Sequence, residues 1–406
     1  MAKRVMGIDI EPDKGLARLG GLSHVFHCNH YNAHLQMAVQ LGEGIEEGFE
    51  PNRLLKDAAR AIAEHLRREC GYSEAQLLEE YTRCGFGILK RIDDDHYEAV
   101  RSHYGEMTYH HGRPQPSCLF DAGFISGMTG REVVEVQCRH AGGSIDRFEL
   151  RGSVDPLPSP FRHPDPLVEP PARFDFPECR VTDSGIDEQA VMDAVSGLEL
   201  FGKPEQEGGT GLVEAFGVGL TFHYADYYNY ISYEIYRRMV AIGVPSDMAR
   251  EAFVQAGHVC AFNTLGGIME SDAWDQVVRP MCRDVSDWVH GIVAVINALG
   301  WGVWRVERID PGREIAIRVY NSYEGVGFRR LYPADESERQ ISFLAMGAVR
   351  GIAHLLWKID IRERPGLNEE LYMKTFNDPK GYWSVEQSHA IGAGDPYDRI
   401  VVRAPA

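Results

Sequence analysis

What is scarce in this sequence of 406 residues already narrows its function. It has no basic run, and 42 lysines and arginines face 60 acidic residues for a formal charge of -18. Such a chain repels the phosphates of nucleic acid and the anionic face of a membrane, so neither is an expected partner. No stretch of 18 apolar residues occurs, and the opening Met1-Ala2-Lys3-Arg4-Val5-Met6-Gly7 has no apolar core. A spanning helix and a secretory signal are therefore not expected. Cysteine is thin, at eight scattered positions without a short secreted framework. Reduced thiols in a cytoplasmic protein are the expectation. Nucleotide fingerprints are missing as well. Gly42-Glu43-Gly44 and the glycines between 208 and 211 lack the strand, spacing and acidic partner that a phosphate loop or dinucleotide site requires.

What is present is a repeat. Gly15-Leu16, Gly21, Phe26-His27 and Tyr31 return as Gly211-Leu212, Gly217, Phe222-His223 and Tyr227 at one constant offset without a gap. Self-similarity of this kind marks a duplicated domain. The echo continues further along. Leu55, Ala59, Ile62 and Leu66 recur with the helical period, and Ser73 with Gln76 forms a capping box that opens a second helix through Tyr81. Gly85-Phe86-Gly87 ends that helix, and Ile88 to Val100 reads as a hairpin around Asp93-Asp94-Asp95. In the second half Val285, Val289, Ile292, Ile296 and Leu299 make the helix, Gly300-Trp301-Gly302 ends it, and a hairpin turns at Asp310-Pro311-Gly312. Between the halves, Pro156 to Pro177 holds eight prolines, too many for a helix or a central strand.

The expected fold is therefore α/β, more narrowly α+β. Two related domains, each with helices packed on a small antiparallel sheet, are arranged about a pseudo-twofold axis. Residues 1–150 form the first domain, 151–205 a proline-rich connector with a short helix, and 206–406 the second, diverged domain.

The repeated stretch also carries chemistry. On a helix, His27, His30, Tyr31 and His34 share one face, and His223, Asp226, Tyr227 and Tyr230 do so at the matching positions. A pseudo-twofold axis would bring the two faces together. Imidazoles and a carboxylate from two helices are the ligand set of iron, manganese or zinc sites that keep a position open for substrate or dioxygen. A metal-free polar pocket uses the same residues. Phe26, Tyr31, Phe222, Tyr224, Tyr227, Tyr228, Tyr230 and Tyr233 crowd these segments, and large rings with polar tips suit a flat, partly polar ligand or an ordinary interface core.

Cys118-Leu119-Phe120-Asp121-Ala122-Gly123, Gly127, Gly130-Arg131, Glu135-Val136-Gln137-Cys138, Gly142 and Asp146-Arg147 together resemble the 4-vinyl-reductase (hydrocarbon-binding) domain family. That small α/β domain also occurs in the sensor halves of phenol-responsive transcription activators. The resemblance implies a structural zinc ion, held in those sensors by three cysteines and a glutamate, beside an apolar pocket for an aromatic effector. Cys118, Glu135 and Cys138 stand at ligand positions, and Asp146 falls where the family has its last cysteine. The second half has a weaker version: Gly347 and Gly351, Gln387 and Asp398 echo the motif, but Ser342 and Ala390 replace the cysteines. No ATPase or DNA-binding part accompanies the motif, so transcription control is not implied.

Two readings stay open. As an enzyme, with oxidoreductase chemistry one option, the protein would use His27, His30, His223 and Asp226 as ligands of iron or another divalent metal or as acid/base groups. Tyr31 or Tyr227 would then donate a proton or hydrogen bond. As a carrier or sensor, it would bind a small aromatic or apolar molecule beside a structural zinc. The lean is toward the enzyme, with chemistry between the halves rather than inside either; a homodimer also stays open.

Overall fold

A computed structural model describes residues 3–5, 8–107, 118–157, 165–333, 338–377 and 381–405, the backbone alone at 3–5 and 8. In the first half, helix Pro51–Arg68 buries the stripe of Leu55, Ala59, Ile62 and Leu66. Helix Glu74–Arg83 begins at the Ser73/Gln76 capping box, where Gln76 Oε1 accepts from Ser73 N at 3.0 Å. A four-stranded antiparallel sheet follows in the spatial order Gly87–Arg91, His96–Ser102, Asp146–Ser153, Arg131–Gln137. Helix Leu119–Thr129 packs against Pro51–Arg68 at backbone distance. A Cβ at Gly123 would overlap Lys56 O, and one at Gly127 would overlap Arg60 O.

The second half repeats this plan. Its sheet runs Val303–Asp310, Glu314–Tyr320, Asp398–Arg403, Ser384–His389. In chain order both sheets are therefore first, second, fourth, third. Helix Phe343–His354 packs on Ser246–Cys260 through Gly347 and Gly351, spaced as Gly123 and Gly127 are.

Each half opens with a strand that leads into a helix: Leu22–Cys28 into Asn29–Gln40, and Val218–Tyr224 into Ala225–Ala241. The two opening strands pair with each other antiparallel, with Phe26 opposite Phe222, Val25 opposite His223 and His27 opposite Thr221. Phe222 is the repeat counterpart of Phe26, so the pseudo-twofold axis passes through that pair. The opening hairpins then cross over. Gly302 N donates to Gly15 O at 3.2 Å and Phe26 N to Leu299 O at 3.1 Å. Reciprocally, Gly87 N donates to Gly211 O at 3.1 Å and Phe222 N to Cys84 O at 2.8 Å. This docking explains the doubled glycines. Gly15 and Gly211 have φ of +67° and +70°, and a Cβ on either would overlap the facing glycine of the opposite half.

Residues 165–187 of the connector form neither helix nor strand and run along the second sheet, where Arg180 N donates to Glu307 O at 2.7 Å. Helix Glu188–Ser196 ends the connector, opened by Asp187 as its N-cap. No described helix is long and apolar enough to cross a membrane.

Candidate functional site

The four residues singled out by the cysteine motif meet in space. Cys118 precedes helix Leu119–Thr129, Glu135 lies near the end of strand Arg131–Gln137 with Cys138 just beyond it, and Asp146 begins strand Asp146–Ser153. One donor atom from each lies within 4.8 Å of all the others, and among the described residues no other histidine, cysteine or carboxylate set does so. Each carboxylate spends one oxygen on the backbone. Glu135 Oε2 accepts from Cys118 N at 3.1 Å, and Asp146 Oδ1 accepts from Arg139 N at 2.8 Å. The second oxygens, Glu135 Oε1 and Asp146 Oδ2, are buried without a hydrogen-bond partner among the described residues. Asp146 depends on Gly105, where a Cβ would overlap its Oδ2.

These groups repel one another's charge. Burial, then the Cys138 thiol, pushes Glu135 up to about 9, and burial also raises Asp146. The Cys118 thiol is raised by its Cys138 neighbour and by burial. Arg139 Nε lies 3.6 Å from Asp146 and offsets part of this charge. A divalent ion would relieve this repulsion, and two thiolates with two carboxylate oxygens suit zinc. The residues fit that group.

The second half ties the same junction without thiols and with one carboxylate in place of two. Ser342, Gln387, Ala390 and Asp398 stand at the corresponding positions. Ser342 Oγ donates to Asp398 Oδ2 at 2.8 Å, and Gln387 Nε2 reaches Asp398 Oδ1 at 3.1 Å and Ser342 Oγ at 3.2 Å. Gln387 Oε1 accepts from Ile341 N and Ser342 N, both at 2.9 Å. Hydrogen bonds there tie the same helix start to the same two strands.

The histidine stretch is arranged otherwise than its spacing implies. His27 and His223 lie in the opening strands and not on helices, on one face of the pair and diagonal across it. Their rings flank Tyr228 at 4.8 and 4.4 Å, and each meets its own counterpart tyrosine, His27 stacked on Tyr31 at 4.2 Å and His223 tilted against Tyr227 at 4.9 Å. Each imidazole bonds a tyrosine of the opposite half: His27 Nε2 to Tyr323 OH at 3.2 Å, His223 Nε2 to Tyr104 OH at 2.9 Å. Burial holds both rings well below the ordinary imidazole range and His103 at about 3, so all three are neutral. Burial also keeps Tyr31, Tyr104 and Tyr323 protonated.

His30 and Asp226 do not join this cluster. His30 opens helix Asn29–Gln40 and lines a cleft of about 570 Å³ with Asn29, Arg101, Glu106 and Glu214, between elements of both halves. Burial, then His34, holds its ring at about 4. Asp226 is buried in an ion pair with Arg330, which also meets Asp165 at 3.1 Å. The expectation that His27, His30, His223 and Asp226 share one metal is therefore corrected. The chain changes from strand to helix between His27 and His30 and between His223 and Asp226, so helical spacing does not relate them.

Tyr104, Tyr323, His103 and Asn32 belong to the cluster and are not singled out by the sequence. Asn32 links His103 Nε2 at 2.8 Å to Tyr228 OH at 2.6 Å. One signal for them exists. Ser102-His103-Tyr104-Gly105 and Ser322-Tyr323-Glu324-Gly325 are repeat counterparts, and in each the serine Oγ accepts from the glycine N–H, at 2.9 and 3.4 Å.

No protein-family model matches the chain, and no curated protein matches it. Among solved structures, the chain is similar to the phenol-responsive sensory domain of the transcription activator PoxR, determined with phenol. The likeness has 13% identity and a TM-score of 0.36, over 52% of this chain and 89% of that one. At that distance it assigns no function, and the 4-vinyl-reductase resemblance rests on the motif residues themselves.

Proposed function

We propose that this is a small-molecule-binding protein of the 4-vinyl-reductase type, braced in its first half by zinc on Cys118, Glu135, Cys138 and Asp146. One observation carries the reading: two thiols and two carboxylates converge, with one oxygen of each carboxylate buried and without a hydrogen bond among the described residues. Bound zinc would add positive charge to that of Arg139 and tie helix Leu119–Thr129 to its two strands. Four protein donors fill a tetrahedral shell, which is the pattern of a structural and not a catalytic ion. The hydrogen-bonded network at Ser342, Gln387 and Asp398 supports the same role, since it ties that junction in the other repeat without a thiol.

A small aromatic or apolar molecule would be taken between the halves. Asn29 and His30 on one wall of the cleft directly precede Tyr31 in the chain, and Arg101 and Glu106 on another flank His103 and Tyr104. The cleft volume of about 570 Å³ lies in the usual range for small-molecule sites. Binding is favoured over catalysis because the buried imidazoles are neutral and each is committed to a tyrosine. Metal analysis of the purified chain tests the reading. About one zinc per chain should survive dialysis and disappear in the Cys118→Ser, Cys138→Ser variant, whereas wild-type protein without retained metal would overturn it.

A further inference from the structure

Between the cluster of thiols and carboxylates and the cleft runs a line of alternating charge. Asp146, one of the four converging donors, has its Oδ2 at 3.6 Å from Arg139 Nε. Arg139 Nη1 meets Glu106 at 2.6 Å, and Glu106 meets Arg101 Nη2 at 2.9 Å. Arg101 and Glu106 both line the cleft of about 570 Å³. Three ion pairs thus join a candidate metal ligand to the cleft wall.

The middle of this line is contested. Arg139 is anchored by Nη2 on Val100 O at 2.5 Å and by Nη1 on Glu106, while its Nε makes no hydrogen bond among the described residues. Glu106 and Asp146 therefore divide one guanidinium, and whatever loosens Glu106 leaves Asp146 a larger share. A cation held by Asp146 competes with a metal for the same carboxylate. Glu106 is in turn divided between Arg139 and Arg101.

The second half shows that the fold does not require this line. By the register of Ser102–Gly105 on Ser322–Gly325, Asn321 stands for Arg101 and Val326 for Glu106, and Ile391 follows Ala390 where Arg139 follows Cys138. Ile391 N still donates to Asp398 Oδ1 at 2.7 Å, as Arg139 N does to Asp146 Oδ1. Connector residues lie at the image of the cleft. Asn321 Oδ1 accepts from Val168 N at 2.9 Å, Asn321 Nδ2 donates to Val168 O at 3.0 Å, and Arg18, the counterpart of Glu214, pairs with Asp165 at 2.8 Å. Thiols, charged line and open cleft occur together in one half and are replaced together in the other.

We infer that the line couples the cleft to the metal: a small molecule that pairs with Arg101 through a carboxylate tightens zinc at Asp146, and zinc tightens that molecule by the same factor. This rests on the zinc and cleft reading given above. A carboxylate on Arg101 leaves Glu106 to Arg139 alone, and Arg139 then yields Asp146 to the metal. Glu214, the other charged residue of the cleft wall, is exposed, so solvent and salt screen its charge.

Zinc affinity of the full chain, read by chelator competition, tests the coupling. Glu106→Gln should weaken zinc about tenfold, a common cost of changing a residue behind a metal ligand, and Arg101→Gln should tighten it. Both side chains are partly exposed, so neither substitution empties the core. The double variant separates a relay from independent charges: once Glu106 is gone, Arg101→Gln should change nothing, whereas independent charges add. Benzoate should tighten zinc in the wild type and not in Glu106→Gln, and uncharged benzyl alcohol should do nothing in either. Additive variants, or a wild type whose zinc affinity ignores benzoate, overturn the inference. A wild type that retains no zinc overturns the earlier reading and this one with it, before any variant is compared.

Discussion

Grafting the second half's solution onto the first should make the zinc dispensable. The variant is Cys118→Ser, Glu135→Gln, Cys138→Ala, with Asp146 kept, so that the junction reads as Ser342, Gln387, Ala390 and Asp398 do. There, three side-chain hydrogen bonds of 2.8 to 3.2 Å join Ser342, Gln387 and Asp398. At about 1 kcal/mol each they contribute about 3 kcal/mol. Zinc present at a thousandfold over its dissociation constant contributes about 4 kcal/mol. The graft should thus hold no zinc, ignore chelator, and melt within a few degrees of the zinc-loaded wild type. Cys118→Ser with Cys138→Ser alone should fall by the full zinc contribution, because Glu135 and Asp146 stay buried without the metal and without the side-chain amide that Gln387 supplies in the second half.

The pH dependence separates these cases further. Glu135 is raised from 4.5 to about 9 when folded without metal, so between those values the folded chain holds a proton that the unfolded chain releases. Stability of the metal-free wild type must fall as pH rises through that window. The graft has no Glu135 and should lack that slope. Thermal melts at pH 6 and pH 8, with and without chelator and paired with metal analysis, read all of this. A graft as unstable as the double serine variant, or a wild type indifferent to chelator, refutes the reasoning.

His223→Ala should destabilise the chain by about 2 to 4 kcal/mol in urea unfolding, since it empties a site ringed by Phe86, Phe120 and Tyr228 and removes the hydrogen bond to Tyr104 OH. A loss below about 0.5 kcal/mol would mean the ring is not buried as described. Gly105→Ala should weaken zinc at least tenfold in a chelator competition, because its Cβ displaces Asp146; unchanged affinity would remove Asp146 from the ligand set. Gly15→Ala and Gly211→Ala should each cost about 2 kcal/mol or more, by positive φ and by overlap with the opposite half. A neutral result at both would contradict the crossed hairpins. His24 and His103 are held by burial at about 4 and about 3, below the ordinary 6.5. Their folded forms bind fewer protons than the unfolded chain below pH 6.5, so they withdraw stability as pH falls from 6.5 toward 3. Nitrogen-detected spectra at pH 5 should show both rings neutral, and imidazolium signals would refute it.

The local features were legible because they depend on a few neighbouring residues. The Ser73/Gln76 cap, the apolar stripe from Leu55 to Leu66, the hairpins at Asp93 and Asp310, and the doubled Gly-Leu and Gly-aromatic-Gly segments are all written in short range. The convergence of Cys118, Glu135, Cys138 and Asp146 was legible for a related reason, since one helix, one strand and one tight return place all four. The crossing of the opening hairpins was not. Nothing near Gly15 says that its carbonyl meets Gly302 and not Gly87, because both glycine pairs have the same local chemistry and only the pairing of Leu22–Cys28 with Val218–Tyr224 chooses. The same pairing decided the histidines. His27 found Tyr323 and His223 found Tyr104 across the axis, while Asp226 was taken by Arg330, partners far away in sequence. Residue type made these side chains able to bond, but which buried donor met which acceptor depended on how the two halves packed.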